Sequence, residues 1–253
     1  PTRDHSERML RAFGYDVTTE GNRISLQGGG KLLGTNIQVP SDISSAAFFM
    51  VGAAITEGSD VTLEAVGINP TRTGVIEILK QMGADLTVEN ERIAGGEPIA
   101  DIRIRGTRTL KGIHMPEDQV PLAIDEFPSL FNAAACAEGQ KNLTGAAELR
   151  VKESDRIQVM ADGLKTMGID CTPTEDGIII EGKGKTGEWG AIFAGGEIES
   201  HHDHRIAMSF SMAGLRSSGE IKIIGTETVA TSFPTFTELT EQAGLSIQVS
   251  ELN

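Results

Sequence analysis

Apolar and polar positions along this chain recur in blocks. Four segments place a short helical run ahead of a glycine and then a strand: MLRAFGYDV at 9–17, ILKQMGADL at 78–86, GLKTMGIDC at 163–171 and LTEQAGLSI at 239–247. Their glycines, Gly14, Gly83, Gly168 and Gly244, recur at comparable intervals. Each fits the position just past a helix, where a left-handed backbone costs glycine least.

A second block is an acidic loop followed by a helix of small residues. It reads SDISSAAFFMVGAAI at 41–55, IDEFPSLFNAAACA at 124–137 and HDHRIAMSFSMAGL at 202–215. Its acids, Asp42, Asp125 and Asp203, are almost evenly spaced, so Asp125 is expected to hold the place in its unit that Asp203 holds in the next. A short turn (EGSD, EGQKN, SSGE) and a strand (VTLEAV, LTGA, IKIIG) follow each helix. Helices so rich in Ala and Gly allow close approach, which predicts burial against sheets on more than one side.

The repeating unit is therefore helix, strand, loop, helix, strand and usually a further strand, over about 80 residues. This alternation predicts an α/β layered fold in which about three units close around one axis. Two complete units and a third without its last strand run from Pro40 onward. Residues 1–39 differ. PTRDHSERMLRAFGYDV matches PTRTGVIEILKQMGADL at 70–86, with Pro1 as far ahead of Gly14 as Pro70 is of Gly83. The chain is thus expected to begin at the second helix of a unit whose first half is missing, as a fragment would.

Composition sharpens this picture. Hydrophobic residues make up 39% of the chain and aromatics only 4%, so the core must be built from Ala, Ile, Leu, Val and Met. A net charge of −14 argues against nucleic acid and against an anionic membrane face. It leaves room for a small anion, because a few cations focused in a cleft outweigh a distant acidic exterior. Cys136 and Cys171 lack CxxC spacing and read as buried thiols in a reducing compartment. No run approaches the roughly 20 apolar residues of a membrane span, and no signal peptide is visible, so the cytoplasm is expected.

Candidate chemistry lies in three clusters. LRVKESDR at 149–156 reads as a strand end and loop that feed the helix IQVMADGLKTMG, which puts Lys152, Glu153 and Arg156 near a helix N-terminus. Free N–H groups and the helix dipole favour an anion there, and Arg156 adds a bidentate fork. Glu153, between two cations, would ordinarily ionise, yet a partly buried carboxyl can also donate a proton. In HHDHRIAMSF at 201–210, His204 and Arg205 lie at another helix start. The three histidines lack any catalytic-zinc spacing, so no metal is expected, and Arg205 is the main anion contact. Asp125, in AIDEFP, either caps its helix or accepts a proton from a substrate hydroxyl.

DEFP, RVKESDR, DHRIAMSF and TSFP, in this order, resemble the enolpyruvyl transferase family, and the EPSP synthases within it. RDHSE at 3–7 and NPTR at 69–72 look like signatures of the class II branch, known for glyphosate-tolerant members. The resemblance covers the whole chain. It implies two similar domains of three βαβαββ units each around a pseudo-threefold axis, an inside-out α/β barrel with the active site in the cleft between the domains. Residues 1–39 would then finish the N-terminal domain and residues 40–253 form the C-terminal one, the rest of the N-terminal domain being a missing partner.

The resemblance further implies transfer of the enolpyruvyl group of phosphoenolpyruvate to the 5-hydroxyl of shikimate-3-phosphate, through a tetrahedral intermediate and without metal or organic cofactor. Glu153 matches the general acid, Asp125 the group that contacts and deprotonates the hydroxyl, and Lys152 an assistant in proton transfer. Arg156, His204 and Arg205 match substrate-binding positions, the two arginines gripping phosphoenolpyruvate, and Arg3 one near shikimate-3-phosphate. Glyphosate is a candidate inhibitor and the parent protein is expected to be a monomer. One departure is that Thr231 and Ser232 stand where many relatives carry a Lys. Arg72 has no clear catalytic counterpart and reads as structural. Two alternatives stay open: a UDP-N-acetylglucosamine enolpyruvyl transferase, which would need a mobile-loop cysteine, and a non-catalytic half-enzyme.

Overall fold

The computed structural model of the chain describes residues 2–185 and 187–250. The Pro1 end of the repeat match lies outside them. In chain order the elements are α1 (His5–Ala12), β1 (Val17–Glu20), β2 (Arg23–Leu26), α2 (Ile43–Ala54), β3 (Asp60–Gly67), α3 (Gly74–Gln81), β4 (Asp85–Ala94) and β5 (Glu97–Arg105). They continue as α4 (Phe127–Cys136), β6 (Glu138–Leu143), α5 (Arg156–Thr166), β7 (Cys171–Pro173), β8 (Ile178–Lys183), β9 (Gly196–Glu199), α6 (His204–Ala213), β10 (Ile221–Ile224), α7 (Glu227–Ser232) and α8 (Phe236–Gln242).

The repeat is visible in the sheets. One has the order β3-β5-β4 and another β6-β8-β7, all antiparallel pairs. A third pairs β10 with β9 in parallel. Parallel bridges from Ser41 to Val66, and from Lys111 and His114 to Glu138 and Asn142, add a leading segment to each of the two larger sheets. Each complete unit therefore runs β-α-β-α-β-β. Gly14, Gly83, Gly168 and Gly244 all have φ between 75° and 94°, the left-handed conformation that their positions after helices call for.

The small-residue helices form the centre. All of α4 is buried, and so is most of α2. Helices α2, α4 and α6 pack pairwise against one another. Close approach is possible because the interface residues are small: a Cβ on Gly52 would lie only 3.1 Å from Leu215 and Met212. Between α4 and α6, Asn132 donates to the Ser209 carbonyl at 2.5 Å. The helix starts lie together at one end, laced by ion pairs. Their far ends meet too, where Arg216 donates to the Ile55 carbonyl at the end of α2 at 2.8 Å.

Some expectations need correction. The strand expected at 143–146 lies earlier, as β6, and takes in the whole of the presumed EGQKN turn, because the residue after α4 is already extended (Ala137 ψ 159°). The residues around 149 form a 3-10 turn, Ala147–Val151, rather than a strand end, with Arg150 drawn aside to the Glu175 carbonyl and the Asp155 carboxylate. After Gly244 no strand forms among the described residues, and β10 pairs only with β9.

Candidate active site at the helix starts

The caps explain how the side chains are placed. Asp42 caps α2 by accepting from the Ser44 and Ser45 N–H groups. Asp203 caps α6 through the Arg205 N–H, and Asp155 caps α5 through that of Gln158. The middle unit breaks the register. Glu126, not Asp125, is the N-cap residue of α4, with Pro128 fixing the first turn. Asp125 therefore stands one place earlier than its alignment with Asp203 implied, and its side chain is released from capping.

Asp125 becomes the hub. Its carboxylate pairs with Arg3 and lies 3.4 Å from Arg156 Nη1 and 3.6 Å from Lys152 Nζ. Its backbone carbonyl accepts from Arg205 Nη1 at 3.3 Å. Burial pushes the carboxyl up, but the positive charges of Arg205, Arg3, Lys152 and Arg156 outweigh it and hold the pKa below the ordinary aspartate value. Asp125 is therefore ionised, with carboxylate oxygens that accept hydrogen bonds.

Arg156 is the most buried of these cations, its side chain 1% exposed. Its Nε donates to Asp203 at 2.8 Å and its Nη2 to Glu153 at 2.5 Å. The sequence placed it as an anion grip; the structure finds its donors already occupied by three carboxylates. Only Glu153, half exposed, is free to exchange for a ligand at little cost. Asp203 is fully buried, and although burial raises its pKa, the hydrogen bond and charge of Arg156 bring it below the usual value. Lys152 reaches back to Glu148 at 2.5 Å. His204, the first residue of α6, is held below the usual imidazole pKa by burial and then by the Arg205 charge. At neutral pH it is a neutral hydrogen-bonding group.

All seven residues singled out from the sequence thus stand at or beside the clustered starts of α4, α5 and α6. Sequence reasoning missed Glu126 and Ser44, and it set Arg72 aside. Glu126 is 2% exposed, accepts from the Ser44 hydroxyl, and lies 3.5 Å from Arg72. Arg72 stands almost as far ahead of Gly83 as Arg156 does of Gly168, a near-match that could have flagged it.

Elsewhere, Cys136 is buried at the end of α4 and its thiol is pushed up to about 12 by burial. A thiol so placed cannot serve as a loop nucleophile. Among the described residues no cluster of three or more His, Cys, Asp or Glu could hold a metal ion, and no helix is long and apolar enough to cross a membrane.

Residues 1–239 match the family model of EPSP synthase (3-phosphoshikimate 1-carboxyvinyltransferase). Relatives named 3-phosphoshikimate 1-carboxyvinyltransferase include those of Methylococcus capsulatus and Nitrosococcus oceani. Each is 62% identical, over 99% and 98% of this chain and 55% and 54% of their own lengths. A solved EPSP synthase from Acinetobacter baumannii is 88% identical and superposes with a TM-score of 0.97 over 99% of this chain and 56% of its own. The enolpyruvyl transferase NikO from Streptomyces tendae, at 16% identity and a TM-score of 0.65 over 96% of this chain and 53% of its own, shares the fold. The chain spans about half the length of the curated relatives it matches.

Proposed function

The chain belongs to the EPSP synthase family, and from that membership we propose that it supplies one wall of a site that moves the enolpyruvyl group of phosphoenolpyruvate onto the 5-hydroxyl of shikimate-3-phosphate, releasing phosphate. The observation that carries the reading is the ring of Arg3, Lys152, Arg156 and Arg205 around one ionised aspartate, Asp125, with Glu153 at its open rim.

In this reading Asp125 accepts the hydroxyl proton as the oxygen attacks C2 of phosphoenolpyruvate, and Glu153 delivers a proton to the methylene carbon. The resulting tetrahedral intermediate then loses phosphate while the methyl carbon gives a proton back. Glu153 is half exposed and can leave Arg156, and away from that charge its carboxyl can carry the proton the carbon takes. Lys152 lies within reach of Asp125 and assists the transfer. Arg156 and Arg205 take the carboxylate and phosphate of phosphoenolpyruvate as Glu153 turns away, His204 adds a neutral donor, and Arg3 faces shikimate-3-phosphate. The cations also stabilise charge that develops in the transition state.

We assign residues 40–253 to a C-terminal domain and 1–39 to the end of an N-terminal one. The main core holds buried residues from Ile43 to Ala213 and none from the segment before Pro40. Exposed Met9, Ile24, Leu26, Leu32, Leu33 and Val39 would be covered by the remainder of that domain. We place the enzyme in the cytoplasm as a monomer, with glyphosate as a competitor at the phosphoenolpyruvate site. The chain alone should not turn over, since both walls are needed to hold the reactants.

The test is phosphate release from the two substrates by the chain completed with the N-terminal half of the Acinetobacter baumannii enzyme. Turnover that falls by at least about 100-fold in Glu153→Gln is expected. No turnover by the completed protein, under conditions where the Acinetobacter enzyme works, would sink the reading.

A further inference from the structure

We infer that Arg72 is a positioning residue for Asp125, acting through Ser44 and the buried carboxylate of Glu126; this rests on the reading of Asp125 given above. Arg72 lies just ahead of α3 with its side chain 15% exposed. Its Nη2 donates to Ser44 Oγ at 2.7 Å and stands 3.5 Å from Glu126 and 3.8 Å from Asp42. Ser44 in turn donates to Glu126. Burial already pushes the Glu126 carboxyl up, and without Arg72 only the Ser44 hydroxyl and the Arg205 charge would favour its ionised form, so its side chain would lose the contact that pins it. Glu126 is bonded directly to Asp125, so the place where its side chain is pinned sets the peptide that aims Asp125 at the opening.

The same loop holds the other half of the ion pair. Arg3 has φ of 57°, a left-handed backbone that few residues other than glycine adopt. It is kept there by its N–H, which donates to Thr71 Oγ1 at 2.9 Å. Thr71 is itself fixed to the Asn69 side-chain oxygen, at 2.9 Å from its N–H and 2.8 Å from its hydroxyl. Residues 69–72 therefore grip both members of the Arg3–Asp125 pair.

The repeat gives independent support. Arg156 joins Asp125 of its own unit to Asp203 at the next helix start. Arg72, at nearly the same place in the preceding unit, joins Asp42 of its own unit to Glu126 at the next. One arginine opens on the site; the other stands a step behind it.

The experiment is a double-mutant cycle in the chain completed as above, with Arg72→Gln, Asp125→Ala and both together. Arg72→Gln should lower kcat about tenfold or more while KM for phosphoenolpyruvate moves less than about threefold. Arg72→Lys should recover only part of the loss, because one ammonium cannot serve Ser44, Glu126 and Asp42 together. With Asp125 already replaced, Arg72→Gln should cost less than about twofold more. Ser44→Ala, milder for folding, should lower kcat in the same direction by less. The inference is overturned if Arg72→Gln keeps kcat within about twofold, or if the factor is the same with and without Asp125, as a loosened fold would give. Full activity of Asp125→Ala would remove the underlying reading, and the inference with it.

Discussion

At the scale of single residues, Lys141 is a charged group buried at a cost. It is 2% exposed, on β6, and its ammonium has no hydrogen-bond partner among the described residues. Burial pulls its pKa from 10.5 down to about 7. Unfolded, the same lysine keeps its proton up to its ordinary value, so between the two values the unfolded chain holds more protons and stability rises with pH. The slope approaches about 1.4 kcal/mol per pH unit and vanishes below the folded value. Lys141→Met should therefore be more stable than the parent at pH 7 and should lose that rise. Urea unfolding at pH 7 and pH 9 measures both, and an undiminished rise in the variant would refute the assignment. Nothing in the sequence points to this: EGQKN has the composition of a solvated turn, and only its pairing with β8, through Lys141 and Ile180, turns the lysine inward.

At the scale of elements, packing is set by where side chains are missing. A Cβ on Gly163 of α5 would press into the ring of Phe210, which is fully buried on α6. Gly163→Ala should cost about 1–3 kcal/mol by overpacking, read as a lower urea midpoint, and Phe210→Leu in that background should return part of it. If the alanine is neutral, α5 and α6 are less tightly set than described.

The same scale separates what the chain spells out from what it hides. Glycines after helices are legible because each needs a positive φ whatever surrounds it, and all four have one. The helix starts and their acids are legible for the same local reason, and so five of the seven candidate residues fall where their segments place them by spacing alone. The one-place shift at Asp125 is not legible, since it depends on Pro128 and on the burial of Glu126 against Ser44, 82 positions away. The pairing of Arg3 with Asp125 spans 122 positions and is likewise invisible to local pattern. The lack of a strand among the described residues after Gly244 shows the limit from the other side: the LSIQVS pattern suits a strand, but a strand needs a neighbour to bond with.

At the scale of the whole molecule, order should not be uniform. Among the described residues β1 and β2 pair only with each other, and within them only Val17 is buried. An isolated hairpin is marginal in water. Amides of residues 17–26 should exchange with solvent far faster than those of α2 and α4, by about 100-fold or more. Hydrogen exchange followed by mass spectrometry reads this directly. Equal protection would mean that the segment before Pro40 shares the stability of the main core. The charge balance is also a whole-molecule property. Despite a net −14, Arg3, Lys152, Arg156 and Arg205 gather at one end of the central bundle, where carboxylates pair with them and helix starts add to their field.

The two arginine links have a consequence for how such a chain can change over generations. Asp42 and Glu126 answer to Arg72, and Asp125 and Asp203 to Arg156. Replacing Glu126 or Asp203 takes a partner from an arginine of the preceding repeat, which is left with the acids of its own unit. The rims of neighbouring repeats are thereby coupled, and a charge change at Glu126 or Asp203 is expected to be offset best by one at Arg72 or Arg156 in the repeat before.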